Sequence, residues 1–152
     1  MEVAEVLPDL QASVLCEDVR QELNGLQTLV GVINVLPTPA LPVGLLKLCI
    51  WTRWCNGIGR FRQTSRILSS EEIEVVAESH IDFELKELEG YVTNVNLFTG
   101  VQFKEFGVHH VEILLNSELI LRYPLPVISM YPGLFTNFSV YRCGCVEPDK
   151  NL

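Results

Sequence analysis

The sequence has no hydrophobic run long enough to cross a bilayer: the longest, Leu41 to Ile50, is interrupted by Pro42, Gly44 and Lys47. It also lacks the positive stretch and apolar core of a secretory signal, carrying Glu2, Glu5 and Asp9 in their place, so no export signal is expected. Basic charge is scarce, 11 Lys and Arg against 19 Asp and Glu. The resulting net charge of -8 argues against broad attraction to nucleic acid or to anionic membranes. The five cysteines are an odd number, which without an export signal favours reduced thiols in a cytoplasm over a disulfide framework. Catalytic signatures are missing too. There is no Gly-x-Ser-x-Gly elbow and no phosphate-binding glycine loop, and Asp9, Asp18, Asp82 and Asp149 form no calcium-type cluster. Neither a catalytic residue nor a cofactor is expected.

What is present is alternation. From His109 to Val127 the odd positions Val111, Ile113, Leu115, Leu119, Leu121, Tyr123 and Leu125 are apolar, with a turn at Asn116-Ser117. A period of two places one set of side chains on a buried face of a strand and the other toward solvent. The same reading gives strands over 10–17, 26–36 (apolar on both faces, hence central), 45–54, 59–68, about 74–85 with a bulge near His80, and 91–97. Asn24-Gly25 and Asn56-Gly57 mark turns, and Pro37, Pro39 and Pro42 a crossing loop. Ser69 with Glu72 fits a capping box, and the span reads as a loop or a single helical turn. Short strands separated by turns predict an all-β fold, a two-sheet antiparallel β-sandwich of about seven to nine strands with little or no helix. The sandwich is expected over residues 10–127, with Val14, Val30, Ile50, Val95, Ile113 and Leu121 in its core. Residues 128–152 form a carboxy-terminal tail expected to dock on a sheet or on a partner subunit.

The segment Cys16-Glu-Asp-Val-Arg-Gln-Glu-Leu-Asn-Gly-Leu-Gln-Thr-Leu-Val-Gly-Val32 resembles an uncharacterised bacterial family of small all-β proteins. The matching positions are Asp18, Arg20 (one residue closer than the family spacing), Glu22, Gly25 and Gly31. The late hairpin with its Pro-Leu-Pro-Val ending is similar as well. The resemblance runs from the first strand to Val127 and implies a β-sandwich and no activity. The residues make physical sense by themselves: Arg20 can pair with Asp18 or Glu22, and Gly31 permits a bulge or a close approach.

Candidate chemistry is thin. Cys143-Gly144-Cys145 could chelate a soft metal, but zinc needs four ligands and no second cysteine pair accompanies it, so no metal is expected. His109 and His110 point to opposite faces of a strand, and His80 is isolated; each reads as a solvated or hydrogen-bonded histidine. The charge pattern says more. Arg53, Arg60, Arg62 and Arg66 lie in a stretch without acids, near Trp51, Trp54 and Phe61, and an acidic run from Glu71 to Glu89 follows. Pairing between neighbouring strands, a complementary protein surface and base stacking all fit that pattern. The candidate interaction surface is therefore Arg53, Arg60, Arg62 and Arg66, joined by the tail aromatics Phe135, Phe138 and Tyr141. The expected function is a non-enzymatic cytoplasmic interaction or assembly module whose partner is a protein, such as a second copy of itself. The alternative is a small-molecule-binding or hydrolytic domain with a loop-built site.

Overall fold

The computed structural model describes residues 4–130. The described residues contain nine strands: β1 (Asp9–Gln21), β2 (Gln27–Val32), β3 (Leu36–Thr38), β4 (Val43–Cys55), β5 (Gly59–Leu68), β6 (Val75–Leu85), β7 (Tyr91–Phe103), β8 (Gly107–Leu115) and β9 (Glu118–Ser129). They form a four-stranded sheet, β2-β1-β4-β7, and a five-stranded sheet, β3-β9-β8-β5-β6. Every pairing between them is antiparallel except β3 with β9. Among the described residues there is no helix, and so none long and apolar enough to cross a membrane. The predicted all-β, two-sheet class is what the structure has, with one parallel pair added.

Turn chemistry sets the register of the last hairpin. Asn116 and Ser117 take φ of 46° and 74°, the two left-handed residues that a type I′ turn requires. The inward faces of the two sheets meet in a core that includes Leu15, Ile50, Trp54, Ile67, Phe103 and Ile113. Burying such side chains contributes about 1.5–3 kcal/mol apiece.

Several expectations need correction. Ile50 and Ile113 are fully buried as predicted, and half-buried Leu121 packs against the core. Val14 and Val95 are half-buried on the opposite, outer face of their sheet, since Val14 pairs with Trp51 and Trp51 with Val95 while the neighbouring Leu15 and Ile50 point inward. In β1 the cause is a register shift between Leu10 and Ala12, which exchanges the two faces of the strand. The run 26–36 is not one central strand. Its first part is the edge strand β2, and its end, β3, joins the other sheet, which explains why it is apolar on both sides without being central. Val30 is accordingly only half-buried. The bulge expected near His80 lies between Ile67 and Leu68, and of the two readings of Ser69–Glu74 the structure has the loop, a hydrogen-bonded turn.

Two glycines permit the bends. Gly100 (φ 68°) switches the faces of β7, so that Phe98 and Val101 both point to the core. Gly31 (φ 66°) bends β2, and a Cβ there would meet the Glu17 side chain at 2.7 Å. Gly31→Ala combines left-handed strain with that overlap and is expected to destabilise the fold by about 1–2 kcal/mol. Urea unfolding checks it; an unchanged midpoint would show that the bend tolerates a side chain.

Candidate functional site

Three of the four predicted arginines lie together. Arg60, Arg62 and Arg66 share the outer face of β5 and stand opposite Glu84, Asp82 and Glu78 of β6. Arg62 donates to both carboxylate oxygens of Asp82 (2.8 and 3.2 Å), and Arg60 lies 3.9 Å from Glu84. Arg66 turns to the other side and donates to Glu112 Oε1 at 2.8 Å. The basic stripe is thus neutralised by carboxylates rather than presented as a free cationic track. Glu112 continues to Arg122 (3.6 Å), and Arg122 pairs with Glu72, which the β5–β6 turn folds over this face. The result is a ladder Arg66–Glu112–Arg122–Glu72 with Glu112 only 3% exposed.

Two exposed carboxylates are strongly engaged. The hydrogen bond from Lys47 holds the Asp18 carboxyl below its ordinary range, and that from Arg62 does the same for Asp82. A depressed folded-state pKa contributes stability above the unfolded value of about 4, lost as pH falls through the folded one. Denaturation midpoints are therefore expected to fall below about pH 4, with a smaller fall in high salt because both pairs are exposed. A midpoint indifferent to salt at that pH would contradict this assignment.

Arg53 is separated from the other three. It lies on the outer face of the four-stranded sheet, with its guanidinium 3.9 Å from the Tyr91 ring centre, a cation–π geometry. Trp54 and Phe61 point into the core, where both pack with Phe83, and only Trp51 faces outward. Aromatics interleaved with arginines for base stacking are therefore not what the fold assembles. Phe135, Phe138 and Tyr141 lie outside the described residues, as do Cys143 and Cys145.

Beyond Cys16, β1 leaves β4 and pairs only with β2, forming a two-stranded arm. Trp51 Nε1 donates to Gln27 Oε1 at 2.9 Å and Lys47 bonds Asp18, which together draw the arm over the sheet's outer face. Within the arm Arg20 lies 3.9 Å from Asp18, while Glu22 accepts the Thr28 hydroxyl instead. Its tip exposes Leu23 completely and Leu26 to 66%. β2 is the edge of its sheet, and its sequence, Gln-Thr-Leu-Val-Gly-Val, has neither charge nor proline. Natural edge strands usually carry such guards against pairing with another chain.

Polar chemistry inside the domain is structural in geometry. Gln63 is buried between the sheets, and its Oε1 accepts from Thr52 Oγ1, Trp54 Nε1 and Asn94 Nδ2 at 2.8, 2.7 and 3.0 Å. Its Nε2 donates to Ser65 and to Asn96 Oδ1. His109 is buried edge-on to Phe103 with Nδ1 3.2 Å from Gly107 O, and His80 shares a hydrogen bond with Thr64. Cys16 and Cys49 face each other across β1 and β4, where burial pushes the Cys16 thiol up to about 11, far from a reactive thiolate. Among the described residues no three His, Cys, Asp or Glu side chains are grouped to hold a metal ion. A polar cleft of about 520 Å³ lies beside the β5–β6 turn, where Ser70 Oγ donates to Glu105 Oε1.

Sequence reasoning missed both the arm and the Gln63 hub. A signal for the hub existed: Thr52, Gln63, Ser65, Asn94 and Asn96 occupy the same strand parity as Ile50, Phe61, Ile67 and Phe98. No curated protein matches the chain. A family model, described as a family of unknown function (DUF6941), matches residues 11–128, and thus both sheets from β1 to β9. An all-β fold of this kind, covered almost throughout by that match, makes the chain a member of the DUF6941 family of unknown function.

Proposed function

We propose that the domain is a non-enzymatic interaction module that assembles through its β1–β2 arm, with a second copy of the chain as partner. The observation that carries this reading is β2, an edge strand free of charge and proline beside the exposed Leu23 and Leu26. Two such edges related by a two-fold axis can add to one another as antiparallel strands, main-chain hydrogen bonds supplying the affinity. The chain carries a net charge of -8, so copies repel over most of their surface, whereas an uncharged strand opposes no like charge. The carboxylate pairing of Arg60, Arg62 and Arg66 supports a protein partner over nucleic acid. A reducing, cytoplasmic setting belongs to the same reading, supported by the free thiols Cys16, Cys49 and Cys55.

Sedimentation velocity over a concentration series tests it. The full chain is expected to form a reversible dimer, and Thr28→Lys, which places a guarding charge on the exposed edge, to remain monomeric. A wild-type chain that is monomeric throughout, or a Thr28→Lys variant that associates equally well, would overturn the reading.

A further inference from the structure

Where β2 ends, a groove of about 530 Å³ opens between the two sheets. Its walls are Val32, Ile33 and Val35 on one side, Leu36 of β3, and Leu45 and Leu46 of β4. Leu46 is 91% exposed and Val32 55%, yet they sit among five further apolar side chains. Single exposed leucines are ordinary on protein surfaces, but a largely apolar lining, in which Glu17 and Lys47 are the charged members, marks a place that something covers. β2 and β3, which border it, are the end strands of their sheets.

The chain supplies an occupant of matching chemistry. Met130 N donates to Thr38 O at 3.0 Å, so the described chain ends against β3, whose Leu36 and Pro37 line the groove. The next residues are Tyr131-Pro132-Gly133-Leu134-Phe135, followed by Phe138. Phe135 is separated from Met130 by four residues and so lies at most about 17 Å of extended chain away. A tether this short gives a millimolar effective concentration, far above that of a second copy at micromolar protein. We propose that residues 134–138 seat in the groove of their own chain, with Leu134, Phe135 and Phe138 as apolar anchors against Leu36, Leu45 and Leu46. The groove meets β2 only at Gly31 and Val32, at its end, and does not use the main-chain edge proposed for self-association, so the contact stands or falls independently of it.

The test uses the full-length chain with 4-benzoylphenylalanine replacing Phe135, irradiated at micromolar concentration and mapped by mass spectrometry. Adducts are expected at residues 32–37 or 44–46 in material of monomer mass, and adding Leu46→Asp should reduce their yield several-fold. Because Leu46 is exposed, that substitution leaves the core intact. Hydrogen exchange gives a second reading: amides of residues 33–38, beyond β2, should exchange several-fold faster in full-length Phe135→Asp/Phe138→Asp than in the wild type. Adducts elsewhere, adducts at dimer mass, a yield indifferent to Leu46→Asp, or equal exchange in the two proteins would each overturn the proposal.

Discussion

Gln63→Leu is expected to destabilise the protein by about 3–5 kcal/mol, lowering its melting temperature by roughly 10 °C. Leu fills similar space, so the loss comes from hydrogen bonding rather than from a cavity. Removing the Gln63 oxygen leaves Trp54 Nε1 and Asn94 Nδ2 without their acceptor, while Thr52 Oγ1 retains only a long contact of 3.4 Å to Asn94 O. Each orphaned buried donor costs about 1–3 kcal/mol. Asn96 Nδ2 is already buried without a partner, so the network has no spare acceptor to offer. Urea denaturation measures the effect, and a double-mutant cycle with Trp54→Phe apportions it. The double variant is expected to lose less than the sum of the singles, since Trp54→Phe removes a donor that Gln63→Leu would strand. A loss below about 1 kcal/mol for Gln63→Leu would show that the inter-sheet network does not hold the two sheets in register.

The second large effect is expected at Glu112. Its carboxylate is buried between Arg66 and Arg122, whose side chains are 30% and 33% exposed. Glu112→Leu leaves two guanidinium groups facing each other over a partly dry face. Breaking a buried pair typically costs about 3–5 kcal/mol; the partial exposure of both arginines lowers the expectation to about 2–3 kcal/mol. Asp82→Ala, which removes the partner of Arg62 on the same sheet in full solvent, serves as the control and is expected to shift the unfolding midpoint far less. Replacing Arg66, Glu112 and Arg122 together by apolar residues of similar volume should recover much of the loss, because no buried charge is then left unpaired and Glu72, which loses Arg122, is half-exposed to solvent. If Glu112→Leu is no more disruptive than Asp82→Ala, the ladder is an ordinary surface arrangement.

Much of the strand content was legible because period-two alternation is a local property. Val111, Ile113, Leu115, Leu125 and Val127 declared their face, and Asn116-Ser117 declared its turn. Cross-strand charge pairing was legible too, as a basic stretch followed by an acidic one, and the register of β5 with β6 places Arg60 and Arg62 opposite acids. The faces of β1 and β7 were not legible. A one-residue register shift at Leu10 and Ala12 and the left-handed Gly100 each exchange inside and outside, and alternation alone does not reveal where such a shift falls. For that reason Val14 was placed in the core and Leu15 was not, whereas Val95 was misplaced because the inward positions beside it, Asn94 and Asn96, are polar. Arg53 shows the same limit: sequence proximity grouped it with Arg60, yet β4 and β5 belong to different sheets.

By itself the amino-acid sequence determined the class of the fold, most of the strands, three of the turns and the acidic balance, all of which follow from residue type and spacing within about ten positions. Tertiary structure alone decided which arginines meet carboxylates, that Gln63 joins five polar side chains between the sheets, and that β2 is an end strand among the described residues. Those outcomes depend on pairings between residues tens of positions apart, such as Trp51 with Gln27 and Arg66 with Glu112. Strand order fixes such pairings, and strand order is a property of the whole packed chain rather than of any segment of it.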